Sequence, residues 1–145
     1  MITQRALLLS TGPGPASLPR LERVVWERGE PPGYRHDSGI RASEQASVQI
    51  TLAGCGALLS PRGDVLAEVP VGFALCFLSQ RQRVLYGCRP GDRSPWDFVY
   101  ANLEGASAIA ALGELVAAHG HVLALDPGHS TVQALLRLVP RGELA

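Results

Sequence analysis

The stretch RSPWDFVYANLEG, residues 93–105, decides the fold class of this 145-residue chain. Its aromatic residues Trp96, Phe98 and Tyr100 stand at every second position, and successive side chains of a β-strand point to opposite faces of a sheet. The alternation therefore predicts a strand with one bulky face. Two interpretations of that face are open, because an aromatic row either fills a core or forms the wall of a ligand pocket.

Short β-type segments separated by turn residues occupy residues 21–103, a spacing typical of sandwiches and barrels. Apolar and polar or small residues alternate over residues 48–53, which predicts a strand with one face in a core. The sequence PRGD at 61–64 lies between two apolar segments and predicts a hairpin turn. Gly54 and Gly56 predict a bulge or a bend where a strand leaves its sheet.

After Gly105 the hydrophobic period lengthens to three and four residues, as in an amphipathic helix. The Ala-rich stretch predicts a helix that ends at Gly120, and a second helix is predicted from His129 to Val139 with Ser130 or Thr131 as its cap. The apolar stripe of the second helix is wide enough to pack on the β region or to meet a partner subunit. We assign it to dimerisation: Val132, Leu135, Leu136 and Val139.

The length suits one compact domain, which we divide into three segments. Residues 1–20, rich in Gly and Pro, are predicted to form an N-terminal arm, residues 21–104 the β-barrel and residues 105–145 the helical segment. The fold class is thus mainly β with C-terminal α. No apolar run approaches the roughly 20 residues that span a bilayer, so we expect no contact with a membrane.

Charge and cysteine content limit the function further. Thirteen basic residues balance thirteen acidic ones, so the chain has no positive field for binding nucleic acid by itself. The three cysteines form no C-x-x-C pair, which suits buried thiols in a reducing, cytoplasmic compartment.

No sequence pattern predicts catalysis or a metal site. His119 and His121 form a His-x-His pair, but they lie after the β region, at the turn that follows the first helix, where a solvated pair is the simpler interpretation. Nucleophile elbows, phosphate loops and dinucleotide fingerprints are absent from the sequence. We therefore expect no catalytic residues, no metal and no cofactor.

The β-rich part of the chain resembles the N-terminal sensing domain of bacterial AraC-type transcription regulators. The resemblance rests on Gly33-Tyr34, on the ITLAGCG strand at 50–56, on Tyr86-Gly87 and above all on PWDFVYANLEG at 95–105, in that order. It covers about residues 21–140. It implies a cupin-like jelly-roll barrel followed by two helices that dimerise, and a C-terminal domain with two helix-turn-helix units that this sequence does not contain.

The resemblance also implies a pocket inside the barrel for a small organic effector. The wall would be formed by Val84, Tyr86, Phe98 and Tyr100, and Val84 stands where many relatives carry a histidine, so the wall is less polar than a sugar site. We add four further candidates for ligand binding: Trp96, His36, Arg41 and Thr51. Within this set Trp96 is the framework residue. Gln49 is a further possible polar contact if its side chain points inward, and the sequence leaves the orientation of the polar side chains open.

The sequence therefore predicts the effector-binding and dimerisation domain of an AraC-type regulator, not an enzyme. We expect a homodimer that contacts DNA only through the C-terminal domain. Two alternatives remain: a cupin-like metal-dependent isomerase or oxygenase, and a structural pairing module whose barrel is filled by its own side chains.

Overall fold

A computed structural model of the chain describes residues 2–8, 17–40 and 44–139, and these residues form two antiparallel sheets and two helices. A short 3₁₀ turn spans Ser38–Ile40. The strands are β1 Ile2–Leu8, β2 Arg20–Gly29, β3 Arg35–Asp37, β4 Ala46–Ala53, β5 Cys55–Leu59, β6 Val65–Pro70, β7 Phe73–Leu78, β8 Leu85–Cys88, β9 Trp96–Glu104 and β10 Val122–Ala124. The helices are α1 Ala106–His119 and α2 Ser130–Leu138.

The larger sheet has six strands in the order β1-β2-β9-β4-β7-β10, and the smaller sheet has four in the order β3-β8-β5-β6. The fold is therefore mainly β, as predicted, but the expectation of a closed barrel is wrong. Hydrogen bonding is continuous within each sheet, and none of the described strand pairings joins one sheet to the other. The chain crosses between the sheets at several connections, and the described edge strands of one sheet do not pair with those of the other, so both sheets stay open.

Gly54 is the point of one such change. It separates β4 in the larger sheet from β5 in the smaller one and has a φ of 73°, a backbone conformation that residues with a side chain rarely adopt. A Cβ atom at this position would lie 2.2 Å from the carbonyl oxygen of Pro95. Glycine is thus required for both the backbone conformation and the close approach, which confirms the predicted bend.

The larger sheet is the middle of three layers. One face packs on the two helices, and its core includes Val24, Ile50 and Val99 together with Leu112 and Val132 of the helices. The opposite face packs on the smaller sheet around the aromatic residues of β9. Because adjacent residues of a strand point to opposite faces, β9 contributes Val99 to one core and Phe98 to the other.

Several local predictions can be compared with the described residues. β5 and β6 form the predicted hairpin around residues 60–64, and α1 ends at His119 with Gly120, whose φ is 82°, as its C-cap. The cap of α2 is His129, whose Nδ1 accepts a hydrogen bond from the backbone N–H of Thr131 at 3.2 Å, rather than Ser130 or Thr131. The imidazole ring can cap the helix because its unprotonated ring nitrogen accepts a hydrogen bond.

The predicted arm is described in part. Ile2–Leu8 form β1, which pairs antiparallel with β2 from Ile2 opposite Gly29 to Leu8 opposite Arg23. This part of the arm is therefore an edge strand of the larger sheet.

The two helices are 14 and 9 residues long, and no helix of the described residues has the length and apolar character to cross a membrane.

Candidate functional site

The space between the two sheets is lined by the face of β9 that carries Trp96, Phe98 and Tyr100. All three are buried, and neighbouring strands present their own alternate residues to the same space. Tyr86 of β8 enters it from the smaller sheet. The face that sequence left open is thereby assigned to the interior of the sandwich, and we call it the inner face.

Aromatic rings form a continuous cluster across this interior. Trp96 stacks on Phe98 with ring centroids 4.1 Å apart, and Tyr34 and Tyr86 each meet the Trp96 ring edge-on at 6.2 Å. Phe77 of β7 lies 5.7 Å from Tyr86. Offset-stacked and edge-to-face pairs of this kind stabilise a core beyond the area they bury.

Trp96 and Thr51 form a hydrogen-bonded tie between the sheets. The Trp96 indole Nε1 donates to Thr51 Oγ1 at 2.9 Å, and Thr51 Oγ1 donates to the carbonyl oxygen of Val69 at 2.8 Å. The indole ring lies directly over Gly56, where a Cβ would come within 2.3 Å of it. The polar groups of both residues are already engaged within the chain, which fits a framework role for Trp96.

Four polar side chains form a patch beside the aromatic cluster, here called the polar patch: Ser47, Gln49, Tyr100 and Asn102. Ser47 lies opposite Asn102 and Gln49 opposite Tyr100 on the paired strands β4 and β9, and directly opposed side chains are about 5 Å apart at Cβ. Relative exposure is 0% for Gln49 and Asn102 and 1% for Ser47. The patch is thus sealed from solvent within the sandwich.

Five atoms of the polar patch have no hydrogen-bond partner among the described residues. They are Ser47 Oγ, both amide atoms of Gln49 and both amide atoms of Asn102. Most buried polar atoms in folded proteins are hydrogen-bonded, and leaving one unpaired costs about 1–3 kcal/mol. Five unpaired atoms on adjacent residues leave hydrogen-bond donors and acceptors unused inside the sandwich.

A buried carboxylate lies next to the aromatic cluster. Glu27 is 5% exposed, stands opposite Phe98 in the register of β2 and β9, and accepts a hydrogen bond from the Tyr34 hydroxyl. Burial is the largest cause that raises the pKa of Tyr34 above its usual value. The phenol therefore remains protonated and keeps donating to Glu27 at neutral pH.

Two cavities of the described structure have mainly apolar walls. One of about 290 Å³ is lined by Leu58, Val84 and His121 among others, and Val84 belongs to the core between the sheets. The other, of about 630 Å³, lies between α1 and the sheet and is walled almost entirely by apolar side chains, Leu112 and Leu115 among them. The first cavity is lined mainly by residues of the smaller sheet and meets the core between the sheets at Val84, whereas the second lies on the helix side.

The predicted ligand-binding residues share one location in the described structure. Val84, Tyr86, Trp96 and Phe98 are part of the core between the sheets, as is Tyr100. Thr51 reaches the same space through its bond to Trp96, and the His36 ring lies 5.2 Å from that of Tyr86. Arg41 lies outside the described residues. Their contact with a ligand remains a prediction.

Ser47 and Asn102 were not among the predicted site residues, and Gln49 was only a possible polar contact. The alternation on β4 contains the signal, because Ser47, Gln49 and Thr51 share one face opposite to that of Val48 and Ile50. A polar face of a strand normally indicates exposure to water. It is buried here because the smaller sheet covers it.

The apolar stripe of α2 packs on the chain's own sheet. Val132 is 1% exposed and Val139 8%, and Leu135 and Leu136 pack against the same core. Leu138 remains exposed on α2. Dimerisation through this stripe stays a prediction.

Metal-ligating and nucleophilic side chains are dispersed. Within residues 17–40 and 44–139, no three histidine, cysteine or acidic side chains come together as a metal site. His121 Nδ1 is 2.8 Å from the carbonyl oxygen of Cys76. Burial raises the pKa of the Cys76 thiol to about 12, which keeps it in the unreactive protonated form.

Comparisons with known proteins do not identify a family for this chain. No protein-family model matches it, and no curated protein matches it at a significant level.

Proposed function

We propose that this chain is the effector-binding and dimerisation domain of an AraC-type transcription regulator, and that it senses a small organic molecule held between its two sheets. The sequence resemblance supports the family. The order of elements supports it too, because nine strands in two antiparallel sheets precede two helices, with only the short β10 between the helices, which suits a cupin-like jelly roll with a helical extension.

The observation that carries the sensing role is the set of unpartnered atoms in the polar patch. A purely structural core would pair or replace these groups, since each unpaired atom lowers stability. A ligand that supplies these hydrogen bonds would gain binding free energy from them, because no described group of the chain already pairs with these atoms. The aromatic cluster beside the patch would provide apolar contact for the rest of the molecule.

Regulation then requires a dimer and a DNA-binding domain. Two-fold dimers are the commonest oligomers, and dimeric regulators read paired half-sites on DNA. We assign DNA binding to a C-terminal helix-turn-helix domain that this sequence does not contain, and pairing to the helical segment. β1, paired at the edge of the larger sheet, would be the element whose attachment responds to the ligand.

A thermal-shift screen of small metabolites of many chemical classes tests the sensing role. A true effector at 100 times its Kd adds about 2.7 kcal/mol to the free energy of unfolding, which appears as a clear rise in Tm. Metal analysis of the same purified protein separates the enzyme alternative. Stoichiometric iron, zinc or manganese would favour the isomerase or oxygenase, and no hit in any class would favour the sealed structural module.

Light scattering tests the dimer. We expect a mass twice the 15.4 kDa of one chain, and a shift toward the monomer when the exposed Leu138 is replaced by glutamate. The matched variant Leu66→Glu places the same charge on an exposed leucine of β6, in the smaller sheet, which the larger sheet separates from the helices. It should leave the mass unchanged. A monomer at all concentrations would contradict the pairing role.

A further inference from the structure

The chemistry of the polar patch narrows the class of ligand. We propose that the site takes a small, uncharged, planar molecule that presents a hydrogen-bond donor and an acceptor on neighbouring atoms, as a carboxamide or a lactam ring does. The proposal rests on the proposed sensing function and adds to it the kind of molecule that is sensed.

The first argument is the balance of donors and acceptors. Gln49 and Asn102 each leave both the amide nitrogen and the amide oxygen unpaired, so each has a donor and an acceptor to satisfy. An anionic group would pair only with the nitrogens, and a cationic group only with the oxygens. A ligand amide satisfies both kinds of atom, and Ser47 Oγ accepts or donates as the remaining position demands.

The second argument is charge. Arg23 stands opposite Asn102 in the register of β2 and β9 and forms an ion pair with Glu22 at 3.6 Å. Arg20 forms an ion pair with Glu104 at 3.6 Å, although Nε of each arginine has no hydrogen-bond partner among the described residues. Glu27 is a buried acidic residue on the same face of β2, two residues along the strand from Val25, which stands opposite Tyr100. A carboxylate ligand would therefore meet a buried acid, and the charge of each arginine is already compensated by an acidic residue.

The third argument is shape. The Tyr100 ring belongs to the patch and lies 6.1 Å from the Phe98 ring with an interplanar angle of 31°. Phe98 in turn stacks on Trp96. A flat ring inserted beside Tyr100 would extend this row of nearly parallel rings, whereas a puckered sugar or a branched aliphatic molecule would not.

A matched set of probes on one ring tests the proposal. Pyridine-3-carboxamide, pyridine-3-carboxylate, 3-(aminomethyl)pyridine and 3-methylpyridine differ only in the substituent, and 2-pyridone adds a lactam. Kd values would be measured by NMR titration of the full chain. We expect Kd for the carboxamide or the pyridone to be at least about tenfold lower than for the other three, the ratio that one well-made buried hydrogen bond supplies.

Substitutions locate the binding. Gln49→Met and Asn102→Leu keep the side-chain size and remove the amides, and each should raise Kd for the carboxamide at least about tenfold. Gln133→Met is the matched control, because Gln133 is exposed on α2, and it should leave Kd unchanged. A Tm at or above that of the wild type shows that the loss in the first two variants is not unfolding.

The outcomes separate the ligand class from the sensing function. Equal or tighter binding of the carboxylate, the amine or the methyl compound overturns the ligand class, as does carboxamide binding that survives Gln49→Met and Asn102→Leu. If the wider metabolite screen finds a ligand of another class whose binding needs Gln49, the ligand class fails and the sensing function stands. If nothing binds in either experiment, both the ligand class and the sensing function fail.

Discussion

The two faces of the six-stranded sheet are built by the same strands and differ in chemistry. On the helix side, Val24, Ile50 and Val99 meet an apolar layer. On the inner face the buried polar side chains of β2, β4 and β9 stand between aromatic rings: Glu27, Ser47, Gln49, Thr51 and Asn102. Burial alone therefore does not distinguish a structural core from a binding site. The distinction lies in whether the buried polar atoms have partners.

The aromatic centre of the inner face should have the largest effect on stability. Trp96→Ala removes a fully buried ring, its stacking on Phe98 and its bond to Thr51, and should lower the free energy of unfolding by about 3–5 kcal/mol. Urea unfolding measures it. Trp26→Ala, on the partly buried tryptophan of the helix side, is the matched control and should cost less. Equal losses would show that Trp96 is not the tie between the sheets.

The helix side should respond as an ordinary core. Ile50→Ala creates a cavity against the helices and should lower the free energy of unfolding by about 2–5 kcal/mol. Ligand affinity, measured on the protein that remains folded, should be unaffected, because Ile50 points away from the inner face. Leu115→Ala, on an exposed leucine of α1, should stay within about 0.5 kcal/mol of the wild type. A loss of ligand affinity in Ile50→Ala would break the separation of the faces.

Substitutions in the polar patch should raise, rather than lower, the free energy of unfolding of the ligand-free protein. Gln49→Met and Asn102→Leu each remove buried atoms that have no described partner, so each should raise the free energy of unfolding by about 1–3 kcal/mol. Chemical denaturation of the free protein measures the change, with Gln133→Met as the exposed control. A decrease in stability would mean that these amides are already satisfied, for example by bound water, and would remove the chemical contrast between the faces.

An exposed ion pair outside both faces should have the smallest effect and a defined pH dependence. Arg83 Nη2 lies 2.6 Å from Asp37 Oδ2, and this hydrogen bond lowers the pKa of Asp37. A lowered carboxyl pKa contributes stability above the ordinary value near 4, and the contribution is lost as pH falls through the folded value. Urea midpoints of the wild type and Asp37→Asn should differ slightly at pH 7 and converge in acid. A difference that grows toward low pH would reverse the assignment.

Much of the fold was predictable because its signals are local. The aromatic alternation of β9, the hairpin at residues 60–64 and the change of hydrophobic period after Gly105 each depend on neighbouring residues alone. The closed barrel was not correct because closure depends on which strands pair, and strand pairing joins residues far apart in sequence. The His129 cap was missed because imidazole is a less common acceptor at that position.

The sequence by itself determined that strands over residues 21–104 precede two helices, that the chain bends at Gly54 and that the strand at residues 96–104 has a bulky face. Only the tertiary structure decided which face of each strand lies inside. Ser47 and Asn102 are more than fifty residues apart and become opposite neighbours through the register of β4 and β9, and the second sheet then covers them. The sequence pattern of a polar residue in a strand is the same whether its side chain faces water or protein. Its burial, and the unpaired atoms that suggest a ligand, therefore depend on long-range packing.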